Sequence, residues 1–495
     1  MNVDWSKLAE QLTYDSSSPM IFSSGVFLWL FLAFTFIYML MGKRDTLRIL
    51  FVTAFSYYFY YKSSGIYFFL LAVVTISDYW IARGIARQKA KRFLMVLSLL
   101  IDLGLLCYFK YTNFFGGLYA DITGGTFSPW DIFLPVGISF FTFQSLSYTI
   151  DVYRGNLKPL DRLIDYAFYV SFFPQLVAGP IVRARDFIPQ IRQPLTITRE
   201  MIGGGVFFII GGLLKKAVIS DYISLNFVER VFDEPTLYSG FENLMAVYGY
   251  ALQIYCDFSG YSDMAIGIAL LLGFKFPMNF NAPYKSTSIT EFWRRWHISL
   301  SSWLKDYLYI SLGGNRKGKF RQYLNLLITM LLGGLWHGAS LNFVVWGGMH
   351  GVVLILDKIW NRMCPKISPV RGKGEGRKNW LLTTVSALLT FHLVCLAWIF
   401  FRQASFDDAF SMIAQIATKF EPQIALQWLT GYKVVACLMG VGFIMHFMPQ
   451  SWSDWTKRLV IRMPLLVQAI LIVVAIYIVI QVKSSDVQPF IYFQF

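Results

Sequence analysis

NAPYKSTSITEFWRRWHISLSSWLKDYLYISLGGNRKGKFRQYLNLLITMLLGGLWHGASLNFVVW, from Asn281 to Trp346, is the stretch on which the reading of this chain turns. Its first half is aromatic and charged, its second half apolar, and each half carries one histidine, His297 and His337. An ionisable side chain at membrane depth is costly, so each is a candidate functional residue by default.

In the first half, Phe292, Trp296, Leu300, Trp303 and Tyr307 recur at helical spacing, while Arg294, Arg295, Ser299, Ser302, Lys305 and Asp306 fill the other positions. This pattern predicts one amphipathic helix over 291–307, lying along a membrane interface or lining a funnel. His297 falls on the ridge Trp293, His297, Leu300, Leu304 and should face the interior. The loop GGNRKGKFR follows, and without a Walker spacing it reads as an ordinary basic turn between spans rather than a phosphate cradle. Beyond it, Gly333 and Gly334 permit close helix approach just before His337.

Outside this stretch the chain is of the same kind. Its 495 residues are 56% hydrophobic, 18% aromatic and only 15% charged, with a mean hydropathy of +0.50. So little polar surface excludes a soluble globule of this size. The net charge of +15 falls in short turns between apolar runs, where basic residues set orientation, so nucleic acid is excluded as a partner and membrane lipid takes its place. Cys107, Cys256, Cys364, Cys395 and Cys437 have no metal-type spacing, so no disulfide framework and no metal site are expected.

Apolar runs at roughly 20–42, 47–61, 64–82, 93–111, 132–152, 203–227, 243–272, 322–336, 339–357, 379–401, 434–450 and 464–482 suggest an all-α polytopic membrane protein of about 10–13 transmembrane helices. Basic turns at Lys43 to Arg48, Arg83 to Arg92, Arg154 to Arg162, Arg316 to Arg321, Arg362 to Lys378 and Lys457 to Arg462 mark the cytoplasmic side. An even count then puts both termini outside: 1–19 as an extracytoplasmic N-terminus without a cleaved signal, 20–482 as the membrane core of a single domain spanning 1–495, and 483–495 as an extracytoplasmic tail. Residues 166–181, broken at Gly179-Pro180, are too short to cross and read as a re-entrant element, which implies a central cavity or tunnel.

Further candidates are Asp257 and Asp263, with Ser259 and Ser262, inside an apolar run, where carboxylates pair with a cation or line a polar cavity. His350 stands near the core stretch; His392 and His446 lack polar neighbours in sequence and read as structural. The terminal QPFIYFQF reads by composition as an interfacial aromatic belt, with insertion into a groove as the other option.

Taken together, FPQLVAGPIVRARDF (173–187), YCDFSGYSDMAIG (255–267), NFNAPYKSTSITEFWRRWHISLSSWLKDYLYISLGG (279–314), LWHGASLNFVVWGGMHG (335–351) and FIYFQF (490–495) resemble the membrane-bound O-acyltransferases. The likeness is closest to the bacterial alginate O-acetylation type, related to the teichoic-acid D-alanylation membrane protein, and departs from it at Ser311, where the family usually has proline. It implies helices around a thin centre, entered by a cytoplasmic and an extracellular funnel, in the bacterial inner membrane. It implies that His337 is the family's invariant histidine and His297 its second. It also implies that Tyr492 holds the place of a tyrosine thought to carry the acyl group.

On that basis the expected activity is O-acetylation of an exported polysaccharide. No tightly bound cofactor is expected; acetyl-CoA or a similar acyl thioester serves as co-substrate, and an extracytoplasmic SGNH-type acetyltransferase is the partner. His337 is the expected general base and His297 its partner, orienting the donor or stabilising the oxyanion. Arg183, Arg185, Arg294, Arg295 and Arg316 are candidates for donor phosphates. Asp257, Asp263, Trp336, Asn342 and His350 are candidates for substrate contacts. The competing class is a transporter or flippase that uses the carboxylates and histidines as a polar path.

Overall fold

The computed structural model describes residues 5–16, 19–42, 44–88, 90–364, 380–482 and 490–491. Among these residues the structure is helical, with no strand. Six helices among the described residues are long and apolar enough to cross a membrane: Asp45–Ala86, Lys91–Thr123, Arg199–Asp233, Leu341–Met363, Trp380–Arg402 and Leu465–Val482. A bent pair, Pro422–Gly431 and Lys433–Phe447 at 99°, makes a seventh if it is counted as one span. The basic turn expected from Arg362 to Lys378 lies, from residue 365 onward, outside the described residues.

The other runs expected to span are also helices: Gly25–Leu40 is apolar but only 16 residues long, whereas two others carry polar residues that their position explains. Ile138–Arg154 buries every residue from Ile138 to Val152 except Ile150, including Ser139, Thr142, Gln144, Ser145, Ser147, Thr149 and Asp151. Gly240–Leu271 likewise buries Asn243, Gln253, Asp257, Ser259 and Ser262. Both are wrapped by protein, so their polar side chains face protein instead of lipid. Leu465–Val482 is the opposite case: only 17% of its apolar window is buried, and its mean hydropathy is 2.8. Lipid is its solvent.

Two helix contacts rely on missing side chains. Against Gly240–Leu271 lies Arg199–Leu213, where a Cβ on Gly205 would come within 2.9 Å of the Gly267 carbonyl and one on Gly212 within 2.5 Å of the Gly260 carbonyl. The second contact pairs Gly318–His337 with Leu341–Met363, where a Cβ on Gly334 would meet the Phe343 carbonyl at 2.2 Å. In a membrane, where apolar burial gives no advantage over lipid, such close backbone approach supplies the packing that holds helices together.

The element expected to be re-entrant is irregular and buried. Helix Leu163–Ser171 stops at Phe172, a single turn covers Phe173–Leu176, and the chain stays buried through Ala184. Side chains complete its backbone hydrogen bonds: the Phe173 N–H donates to Ser56 Oγ and the Ile181 N–H to Ser299 Oγ, each at 3.1 Å. Non-helical backbone survives at depth only with such partners. Buried residues from Met20 to Ile491 join in one core cluster. The tail end at Phe490 and Ile491 therefore packs inside the protein and not in an interfacial belt.

Candidate active site

The amphipathic helix expected over 291–307 is broken at its histidine. Helix Ile289–Arg295 ends at Trp296; His297 adopts φ 41°, ψ 55°, and a new helix runs from Ile298 to Trp303. Residues 279–281 provide the reason. The Ile298 N–H donates to the Asn279 carbonyl and the Asn281 N–H to the Arg295 carbonyl, both at 2.9 Å. A left-handed backbone at a non-glycine residue is strained and persists only where its surroundings enforce it. The break turns the His297 ring fully into the interior.

Asn279 also fixes the chemistry of that ring. Its Oδ1 accepts from the Ser299 N–H at 3.2 Å and from the Ser299 hydroxyl at 2.9 Å. A main-chain N–H can only donate, so the amide orientation is settled. His297 Nδ1, 3.2 Å from the same oxygen, must then carry a proton. In the neutral ring the lone pair is left on Nε2, which suits proton acceptance.

His337 closes helix Gly318–His337, whose last carbonyls have no partner within the helix. Two side chains from the Lys91–Thr123 span satisfy them: Tyr111 Oη donates to the Leu335 carbonyl at 2.8 Å, and Lys110 Nζ donates to the carbonyls of Trp336 and His337 at 2.8 and 2.9 Å. A cation at the negative end of the helix dipole is favourable. The His337 ring lies among Trp336, Trp346 and Phe401, with centroids 5.0, 5.0 and 5.3 Å away. Trp336 also contacts His297, at 6.0 Å. The two histidines therefore share one indole as neighbour.

Two cavities come close to this pair, one against His337 and one against Ile298, the residue after His297. One, of about 30 Å³, is lined by Lys110, Gly137, Phe140, Trp336 and His337. The other, of about 720 Å³, is lined by Lys215, Tyr255, Ser259, Asp263, Phe280, Asn281, Ile298 and His446. Phe140 and Phe280 each lie within 6.5 Å of the His297 ring, at 6.5 and 6.4 Å.

The remaining candidates divide. Asp263 lines the larger cavity and pairs with Lys215 at 2.6 Å; Asp257 pairs with Lys216 at 2.5 Å. His350 is separated from His337 by Trp346, whose ring lies 4.8 Å from it. Asn342 donates to the Gln403 carbonyl at 2.7 Å, bracing two helices. Arg183 is committed to Asp306 and stacks over Tyr307. Arg185 is half exposed, 3.8 Å from Asp186, and Arg294 is exposed.

Arg295 pairs with Glu291 at 2.8 Å and donates to the carbonyl of Asn281 in the wall of the larger cavity. Burial pushes the Glu291 carboxyl up, but hydrogen bonds from Thr287 and Arg295 outweigh it and hold the group below its usual range. Ser311, at the family's proline position, donates to the Tyr307 carbonyl and accepts from Arg154, which shapes the turn. Tyr492 lies outside the described residues.

Two histidines do have polar company, contrary to their sequence context. Tyr248 Oη lies 2.8 Å from His392 Nε2, and His446 Nε2 accepts from the Tyr284 N–H at 3.1 Å. Sequence reading passed over Asn279, which no pattern marks. It also passed over Lys110, Lys215 and Lys216, which the cost of a charge in an apolar run does mark. Among the described residues no group of three or more histidine, cysteine or acidic side chains is placed to hold a metal ion.

A bundle of apolar helices with polar groups turned inward and two buried imidazoles sharing one indole has the form of a multi-pass membrane protein with a polar interior. The model of the membrane-bound O-acyltransferase family matches residues 160–403. The chain is 42% identical to the probable alginate O-acetylase AlgI of Pseudomonas aeruginosa over 79% of its own length and 74% of the relative's. It is 36% identical to the Pseudomonas putida counterpart over 96% and 100%. With the peptidoglycan O-acetyltransferase of Helicobacter pylori it shares 35% identity over 80% and 79%. The chain belongs to the membrane-bound O-acyltransferase family, and its activity is acyl transfer to oxygen.

Proposed function

We propose that this enzyme moves an acetyl group from a cytoplasmic thioester, acetyl-CoA, through its centre for O-acetylation of an exported polysaccharide. The observation that carries the reading is the placement of His297 and His337 against the same Trp336, with a small cavity lined by His337 and a large one lined by Phe280 and Ile298 beside His297. The basic run from Lys457 to Arg462, which follows Thr456 in the wall of the larger cavity, favours its opening toward the cytoplasm, in the inner membrane of a bacterium. The relatives named for acetylation of alginate and of peptidoglycan support acetyl as the group and a polysaccharide as final acceptor.

In this reading the donor's acyl thioester enters the larger cavity, where Lys215, Lys285 and the edge at Arg295 supply positive charge. A hydroxyl, that of Tyr492 or of a serine on an extracytoplasmic SGNH-type partner, attacks the thioester carbonyl. Its proton passes to an imidazole, the C–S bond breaks, and the proton goes on to the departing thiolate. His337, lining the small cavity, serves the acceptor side as general base, and His297 serves the donor side, its bare Nε2 taking up a proton there and returning it to the departing thiolate. The oxyanion role expected for His297 does not suit the neutral tautomer that Asn279 fixes, because Nε2 then has no proton to donate.

The test is incubation of purified protein with radiolabelled acetyl-CoA. Label is expected on the chain or on an added acceptor, and His337→Ala and Tyr492→Phe should each abolish it. Wild-type labelling in both variants refutes the assignment.

A further inference from the structure

Where the end of the chain is described, it is inside the core. Phe490 is completely buried and Ile491 is 6% exposed. The Phe490 ring packs 5.5 Å from Phe258 and 5.0 Å from Tyr261 on the central helix, Gly240–Leu271. The Ile491 N–H donates to Asp257 Oδ2 at 2.9 Å. The other carboxylate oxygen faces Lys216 Nζ at 2.5 Å, and Lys216 is also 2.8 Å from Asp221.

An ion pair that only braced two helices would need no third partner. Here one oxygen of a buried carboxylate holds a main-chain amide from the far end of the sequence. A grip on the backbone fixes where a segment sits whatever its side chains are, and a charged acceptor makes that grip strong. The next residue on the helix, Phe258, meets His297 edge to face at 4.6 Å. The same ring therefore touches both the docked chain end and the candidate catalytic histidine.

We propose that Asp257, backed by Lys216, is the docking residue for the C-terminal end of the chain: it holds residues 490–491 against the central helix, and that grip serves the delivery of the acyl relay assigned to Tyr492. The delivery rests on the acyl-relay reading above; the docking is read from contacts of its own. Asp257 is thus a positioning residue. Asp221 shares Lys216, so removing the charge of Asp257 leaves no uncompensated lysine.

The test uses the full-length protein carrying Ile491→Cys, with Asp257 intact, as Asp257→Asn and as Asp257→Ala. The rate at which a water-soluble maleimide modifies Cys at 491 is read by mass spectrometry of the C-terminal peptide. Acetyl transfer is measured in the same three Asp257 backgrounds without the cysteine. Loss of a charge-assisted hydrogen bond should speed modification at least about tenfold in Asp257→Ala and lower kcat while the donor KM stays unchanged. Asp257→Asn keeps the side-chain volume and should fall between.

An unchanged modification rate in both variants overturns the docking. Faster modification with unchanged kcat overturns the delivery. If Tyr492→Phe transfers acetyl normally while Asp257→Ala releases the tail, the relay fails and the docking stands.

Discussion

Replacing Asn279 with alanine should disable His297 without touching it. One oxygen, Asn279 Oδ1, receives His297 Nδ1–H at 3.2 Å, the Ser299 N–H at 3.2 Å and the Ser299 hydroxyl at 2.9 Å. When it is removed, the Ser299 hydroxyl has one near acceptor left, His297 Nδ1 at 3.5 Å. Its proton would then point at Nδ1, and the imidazole would move its own proton to Nε2, the atom that the mechanism needs bare. Loss of a group that orients a functional histidine typically costs 10- to 100-fold, and we expect a fall in kcat of about that size. The Ser299 N–H is also left unpaired in the core, at about 1–3 kcal/mol of stability.

Asn279→Asp keeps an acceptor for all three donors and should retain activity to within a few-fold, although it gives up the bond to Ser262. The assay is acetyl transfer at saturating labelled donor, with thermal melting and size exclusion as checks on folding. A folded Asn279→Ala within about threefold of wild type, no worse than Asn279→Asp, refutes the tautomer argument.

Lys110→Met strips the Trp336 and His337 carbonyls of their cap; we expect a loss of about 1–3 kcal/mol in stability together with reduced transfer, measured by melting and by turnover. Gly347→Ala drives a methyl to 2.3 Å from the Met330 carbonyl, and should cost about 1–3 kcal/mol as the helices at His337 separate, with a lower melting temperature as the readout. Trp336→Ala opens the space between the histidines to water, so hydrolysis of acetyl-CoA should rise relative to productive transfer when both products are counted.

How much of this was legible in the sequence depends on the kind of signal each residue carries. His297 and His337 stood out because an ionisable group in an apolar surrounding is expensive, an argument that needs no neighbours. The same argument marks Lys215 and Lys216 within the Arg199–Asp233 span, whose partners are Asp263 and Asp257. Helical spacing gave the right interior placement for His297 by the wrong path, since the expected helix is broken there. Local periodicity does not register the pairing of 279–281 with 295–298, and Asn279 was invisible for that reason.

Hydropathy found the helices but could not say which face protein and which face lipid. That distinction separates the polar Gly240–Leu271 from Leu465–Val482. Charge alone nominates the arginines for donor phosphate, yet Arg183 is taken up by Asp306, and Arg295 reaches the wall of the large cavity through the Asn281 carbonyl.

The central claim is that acyl transfer runs through the His297–Trp336–His337 centre from one side of the membrane to the other. It is tested most directly in vesicles of uniform orientation, with labelled acetyl-CoA confined to the compartment that the larger cavity faces and a hydroxyl acceptor confined to the other. The account predicts labelled acceptor with wild-type protein and background labelling with His297→Ala or His337→Ala. Transfer at the wild-type rate in either variant, or labelling only when donor and acceptor share a compartment, would contradict it.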